Sequence, residues 1–277
     1  MIKPLKIGLA LSGGTARSVG HVGAIKAIEE SDLNIDFIAG TSGGAIAATA
    51  YAAGRSLGEM EEVANALTWG KLASIKISRL GFVSSENIYD LMIEQFGGDI
   101  DFSDLKLPCS VLGTDLHTGL KHVFNSGSVA KAVQISCSLP HFFLPIEREE
   151  KMLIDGGLSE YLPIQTTREM GAQFVIGINL GSQTGDYNKP KHILQLFMQV
   201  NNLVAKQNMR RSVQYADFLV EPDLRSFSAF DFDNSEKLIE LLYDLTKSQI
   251  DDIQKAYNDK NNLFNRVRNT FKQPLKK

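Results

Sequence analysis

Ile35-Asp36-Phe37-Ile38-Ala39-Gly40-Thr41-Ser42-Gly43-Gly44-Ala45-Ile46-Ala47-Ala48-Thr49-Ala50-Tyr51-Ala52-Ala53-Gly54 joins a short apolar run to an alanine-rich stretch through a serine set between glycines. The run Ile35–Ala39 reads as a strand. Alanine is the strongest helix former, so the segment after Ser42 reads as a helix closed by Gly54. A Gly-x-Ser-x-Gly pattern between strand and helix is the setting in which a serine projects from the top of a sheet. The following helix points its N-terminal N–H groups at that serine and favours negative charge there. Alone, the same residues would also make a plain turn. Their place between strand and helix makes Ser42 the candidate nucleophile, with Gly40 and Gly44 shaping the turn.

Outward from this point the chain keeps alternating. An apolar run at Lys6–Ser12 precedes the break Gly13-Gly14-Thr15-Ala16-Arg17-Ser18, and Val22–Glu30 has helical spacing. Strand-like runs recur at Cys109–Thr114, Lys121–Asn125, Met152–Ile154, Phe174–Leu180 and Asp217–Val220, with helical patterns between many of them. Long helices are expected at Ile193–Ser212 and Ser235–Asn258, and a polar surface loop at Gly181–Pro190. Such alternation argues for an α/β fold, a mostly parallel sheet with helices on its faces. The 277 residues, 43% of them hydrophobic, suit one domain with a sizeable core.

Composition narrows the function. Lys plus Arg total 29 against 32 Asp plus Glu, a formal net charge of −3, so the basic face that nucleic acid requires is not expected. The mildly basic tail Lys272–Lys277 reads as a solvated end. Cys109 and Cys137 sit among small or apolar residues and read as buried, reduced thiols of a cytoplasmic protein. The apolar part of the N-terminus is too short for a signal peptide, and no run of about 20 apolar residues would span a membrane.

Two further segments bear on the serine. The loop Gly13-Gly14-Thr15-Ala16-Arg17 can offer backbone N–H groups to an oxyanion, with Arg17 fixing the loop or adding positive charge. It matches neither phosphate-loop pattern, and taken alone it reads equally as anion binding or packing. Asp155-Gly156-Gly157 follows the strand Met152-Leu153-Ile154. Asp155 can stand at the same sheet edge as Ser42 and take its proton, although Asp-Gly is also a common turn pair. His21, His117, His122, His141 and His192 offer no recognisable strand-to-loop partner of the kind a Ser-His-Asp triad needs.

These three motifs, in this order, resemble the patatin-like phospholipase family, and the chain resembles a short bacterial member of it, more loosely in its C-terminal third. Similar linking stretches include His21-Val22-Gly23, Gly113-Thr114-Asp115-Leu116-His117-Thr118-Gly119 and Ser138-Leu139-Pro140. The resemblance covers roughly Lys6 to Leu180. It implies a three-layer α/β/α sandwich and a Ser42–Asp155 dyad, with Gly13, Gly14, Thr15 and Arg17 forming the oxyanion hole and Gly40 and Gly44 the nucleophile elbow. No metal and no cofactor enter the chemistry. Phospholipids, lysophospholipids or other acyl esters would be the substrates, with transient contact at a membrane surface. An acyltransferase or small-ester esterase, or a non-catalytic acyl-lipid binding protein, are the alternatives. The chain departs from the family where glycine is usual at Thr15 and Ser18, often at His141, and where Asn is frequent at Glu160 and Tyr161.

The domain organisation expected is one domain over residues 1–277, its C-terminal part from 193 onward helical and packed on the rest. Trp69–Asp104 mixes Gly, Ser and scattered apolar residues. Part of it is a candidate cap over an acyl chain, with Phe142 and Phe143. Most of its apolar side chains are expected simply to complete the core.

Overall fold

The computed structural model describes residues 4–78, 81–181, 189–190, 193–230 and 232–272. His192, most of the expected loop at 181–190 and the tail beyond 272 lie outside them.

The chain opens with strand β1 (Ile7–Leu11), whose five residues are all buried, as a strand covered on both faces must be. After a 3₁₀ turn at Thr15–Gly20 come α1 (His21–Glu29), β2 (Ile35–Thr41) and α2 (Gly43–Ala52). The middle of the chain contributes α3 (Leu57–Ala66), α4 (Trp69–Leu72), a hairpin of β3 (Ser74–Ser78) and β4 (Gly81–Ser84), and α5 (Glu86–Phe96). There follow β5 (Cys109–Asp115), β6 (Lys121–Phe124), α6 (Val129–Ser136), β7 (Ile146–Arg148), β8 (Lys151–Asp155), α7 (Gly157–Glu160), α8 (Ile164–Glu169) and β9 (Phe174–Ile178). The last elements are α9 (Ile193–Ser212), β10 (Phe218–Val220), α10 (Ser235–Ser248) and α11 (Ile250–Lys272).

The main sheet has the order β10-β9-β1-β2-β5-β8-β7, with β6 paired to β5. From β10 to β5 all pairings are parallel; β6, β7 and β8 join antiparallel. Five parallel strands, the four after β1 each preceded by helices, agree with the α/β expectation, and the antiparallel end makes the sheet mixed. Helices α1 and α10 pack against each other beside one face, and α8 packs on β1, β2 and β9. The core is aliphatic, with Leu9, Leu11, Ile25, Ile38, Ile135 and Phe174 almost fully buried. Burying such side chains contributes about 1.5–3 kcal/mol each.

The pairing of β5 positions the site. Val111 and Leu112 pair with β6 on one side and β2 on the other; Gly113 and Thr114 pair with β6 and β8. Strands β2 and β8 therefore share one edge of β5, running toward each other and meeting between Leu112 and Gly113. The residue after β2 is Ser42, and the last residue of β8 is Asp155.

Three elements differ from the sequence expectation. The C-terminal helix expected over Ser235–Asn258 is two helices, broken at Gln249, whose backbone ends α10 by bonding back to Thr246 and Lys247. Its apolar period runs through the break and hides it. Trp69–Asp104 is ordered into α4, the hairpin and α5. Ile88 and Met92 are buried, while the side chains of Ile75, Ile77, Leu80 and Phe82, on which the expectation for this region rests, lie outside the described ones. Strand β7, only three residues long, carries no periodic signal. Cys109 and Cys137 are buried free thiols. Among the described residues no helix is long and apolar enough to cross a membrane.

Candidate active site

Ser42 sits in a backbone conformation that side-chain-bearing residues rarely adopt, φ 53° and ψ −129°. Such strain costs on the order of 1–3 kcal/mol and persists only where the surroundings impose it. Here they do. A Cβ on Gly40 would lie 2.3 Å from the Gly44 carbonyl oxygen, and one on Gly44 would lie 2.4 Å from the Ser12 carbonyl oxygen. The turn can close, and α2 can press against the end of β1, only with glycine at both positions. The Ser42 N–H donates to Ser136 Oγ (2.8 Å), and the Thr41 hydroxyl donates to the Glu160 carbonyl (3.0 Å). Ser136 gives no sign in the sequence, because a serine at a helix end has many uses.

Asp155 is 3% exposed. Its Oδ1 accepts the Gly157 N–H (2.7 Å), its carbonyl accepts the Thr114 hydroxyl (2.8 Å), and its N–H donates to the Ser138 carbonyl (3.0 Å). Among the described residues Oδ2 is buried without a hydrogen bond of ordinary geometry. Burial raises the carboxyl from its usual 3.8 to about 6, while the neighbouring Ser42 hydroxyl and the Gly157 N–H hold it down. The Cys137 thiol adjoins the same pair. Burial and the Asp155 charge push its pKa up, and the Ser42 hydroxyl opposes them.

The glycine loop divides into anchors and unengaged donors. Gly13, one of the residues expected at the oxyanion hole, spends its N–H on the Tyr161 carbonyl (3.1 Å). Ala16 donates to the Ala229 carbonyl (2.9 Å), and the Arg17 guanidinium clasps the Phe227 carbonyl (Nε, 2.9 Å), so Arg17 ties the loop down. Among the described residues the N–H groups of Gly14 and Thr15 have no protein acceptor. Ser18 Oγ is buried beside them, also without a partner.

Two lobes meet at Ser42. The apolar lobe is walled by residues such as Ile46, Ala50, Val63, Leu91, Met92 and Phe142. Trp69 closes part of it, its ring 5.0 Å from Phe142 and its indole N–H bonded to the Phe230 carbonyl (2.7 Å). The polar lobe holds Gly14, Arg17, Asp155, Tyr161, Asn201 and Asn202. No histidine lines either lobe among the described residues. His21 is buried, its pKa lowered to about 4 by burial, and its Nε2 is bound to the Ser12 carbonyl (2.8 Å), so it braces the loop as a neutral ring. His141 stacks on Phe197, and His122 lies against Phe124. No cluster of potential metal ligands occurs among the described residues.

Residues 9–168 match the model of the family described as patatin-like phospholipase. The chain belongs to this family. An uncharacterized NTE family protein of Mycobacterium bovis is 33% identical over 184 residues, covering 65% of this chain and 51% of the relative. The human patatin-like phospholipase domain-containing protein 6 is 31% identical over 186 residues, covering 64% of this chain and 13% of the relative. The chain thus spans about half the length of the first relative and a small part of the second. Among solved structures, VipD from Legionella pneumophila aligns with a TM-score of 0.60 at 14% identity, covering 90% of this chain and 67% of that one. ExoU of Pseudomonas aeruginosa, solved in complex with SpcU, gives 0.52 at 16% identity, covering 91% and 53%. At these identities the two structures speak for the fold.

The chain's departures from the usual family pattern now have locations. Thr15 and His141, where glycine is usual or frequent, both have positive φ, 55° and 69°. Ser18, the third departure, does not; its hydroxyl instead fills the gap between Gly14 and Gly43. Glu160 replaces a frequent Asn with a buried carboxylate that accepts the Gln165 N–H (2.9 Å), the Thr166 N–H (3.1 Å), the Thr166 hydroxyl (2.7 Å) and the Lys121 ammonium (3.3 Å). The Tyr161 ring packs against Gly13 and Gly181.

Proposed function

We propose that the chain is a serine acyl-ester hydrolase that acts on phospholipids, lysophospholipids or related acyl esters through Ser42 and Asp155. The observation that carries this reading is the meeting of an apolar and a polar lobe at Ser42, with the one buried carboxyl of the polar lobe beside it. An acyl chain fits the first lobe and a polar alcohol or headgroup the second.

In this mechanism Ser42 Oγ attacks the ester carbonyl carbon while its proton passes to Asp155. The carbonyl π electrons move onto oxygen, and the Gly14 and Thr15 N–H groups, aided by the α2 N-terminus, stabilise that oxyanion. The intermediate collapses: the carbon–oxygen bond to the alcohol breaks, and the alcohol leaves with the proton from Asp155. Water then attacks the acyl-serine, giving its proton to Asp155, and the acid departs as Ser42 is restored. A carboxyl near pKa 6 suits a base that must both accept and return a proton. The cap expected within Trp69–Asp104 keeps a concrete form in this reading: α4 and α5 cover the acyl lobe.

The test uses a fluorophosphonate probe and a p-nitrophenyl ester on the wild-type chain, Ser42→Ala and Asp155→Asn. Labelling and turnover should be present in wild type and lost in both variants. A wild-type protein that neither labels nor turns over would overturn the proposal in favour of an acyl-lipid binding role. Full activity in Asp155→Asn would overturn the dyad alone.

A further inference from the structure

The apolar lobe has a measurable depth. It runs along α2 from Ser42, touching Gly43, Ile46, Ala47 and Ala50, one face of the helix at the i, i+3, i+4, i+7 spacing. Seven residues at 1.5 Å per residue make the lobe about 10 Å long. Ile88, Leu91, Met92 and Gln95 of α5, at the same spacing, also line the lobe.

At the far end the lining changes from apolar to charged. Arg55 donates its backbone N–H to the Ala50 carbonyl (3.1 Å), which fixes it at the C-terminal end of α2. Its guanidinium pairs with Glu59 (3.2 Å) and bonds to the Gln95 carbonyl. Glu59 is itself held by the Ser56 N–H and hydroxyl, each at 2.8 Å. The two charged side chains are 33% and 50% exposed, so the lobe reaches the surface and the ion pair closes it there.

We infer that the Arg55–Glu59 pair, seated on the Gln95 carbonyl, is the floor of the acyl lobe and selects acyl groups of medium length. Carbon–carbon bonds of about 1.5 Å at tetrahedral angles advance an extended chain by about 1.3 Å each, so about 10 Å holds an acyl group of about eight to ten carbons. A longer chain would have to press methylenes against a charged pair or break it open to water. The inference rests on the proposed hydrolase activity and names its substrate class: esters of medium-chain acids, with the polar lobe receiving the alcohol.

The test is a series of p-nitrophenyl esters from acetate to palmitate, with each variant's kcat/KM expressed relative to its own acetate value. In wild type each added methylene should raise kcat/KM about three- to fourfold, the value of one buried methylene, until octanoate or decanoate. Laurate, myristate and palmitate should gain nothing further or fall. Arg55→Leu removes the charge and should move the break to longer chains. Ala50→Phe narrows the lobe halfway and should move it to shorter ones. Fluorophosphonate labelling reports that each variant is folded. A wild-type gain that continues to palmitate, or a break that stays in place in both variants, would overturn the inference while leaving the hydrolase reading intact. Absence of turnover on every ester, acetate included, would strike the hydrolase reading itself.

Discussion

Thr41 and Asp155 occupy neighbouring places along one edge of β5, Thr41 opposite Leu112 and Asp155 opposite Gly113. Two strands distant in sequence thus end tip to tip on a shared partner. The parallel strand delivers Ser42 one residue past its end, and the antiparallel strand delivers Asp155 at its end. The backbone ladder therefore fixes the separation of the two groups before any side chain adjusts.

The first expectation concerns pH. As the proposed base, Asp155 must be ionised to accept the Ser42 proton, and burial raises its pKa to about 6. The ratio kcat/KM should fall about tenfold per pH unit well below that value and level off above it. A profile flat down to pH 4 would remove Asp155 from the role.

Stability should show the opposite trend. The native carboxyl, at about 6, binds its proton more tightly than the unfolded one at 3.8. Wild type therefore loses stability as pH rises through that window. Two units correspond to at most about 3 kcal/mol. Asp155→Asn keeps a neutral group that can still accept from Gly157. It should be more stable than wild type at pH 8 by about 1–3 kcal/mol, with the difference gone below pH 4. Urea titrations at the two pH values measure this, and equal midpoints at pH 8 would contradict it.

Thr15 holds a β-branched side chain at φ 55°. The left-handed region costs a non-glycine residue about 1–2 kcal/mol. Thr15→Gly relieves that strain but adds freedom to the unfolded chain, so a net gain of about 0.5–1 kcal/mol is expected. A lowered thermal midpoint would show that the threonine side chain makes contacts worth more than its strain.

Glu160 joins charge and framework. Its carboxylate caps the start of α8 and meets Lys121, while its carbonyl holds the Thr41 hydroxyl. Glu160→Ala strands buried donors and should cost about 3 kcal/mol. Glu160→Gln keeps an acceptor for the N–H groups and should cost less. Denaturation midpoints of the three proteins should rank wild type, Gln, Ala; any other order would contradict this account.

Much of this architecture was legible in the residues. The parallel strands β1, β2, β5 and β9 are buried apolar runs, and α9 keeps the bounds that its pattern predicts. Ser42 and Asp155 each stand at a strand end followed by glycine, a local feature a sequence displays. The division of the glycine loop was not legible. Whether Gly13 or Gly14 keeps a vacant N–H depends on the Tyr161 carbonyl, about 150 residues away. The polar floor at Arg55 and Glu59 escaped for the same reason. An i, i+4 ion pair reads as a solvated surface feature until α5 is seen to complete a cavity over it.

The tip-to-tip meeting on β5 also makes the site a gauge of folding quality. A one-residue slip of β8 against β5 would turn the Asp155 side chain to the opposite face of the sheet. Secondary structure content would hardly register such an error, and compactness would barely change. In the proposed mechanism, reaction of Ser42 with a fluorophosphonate would register it at once, so the labelled fraction of a preparation would count the molecules whose strands are paired in the native register.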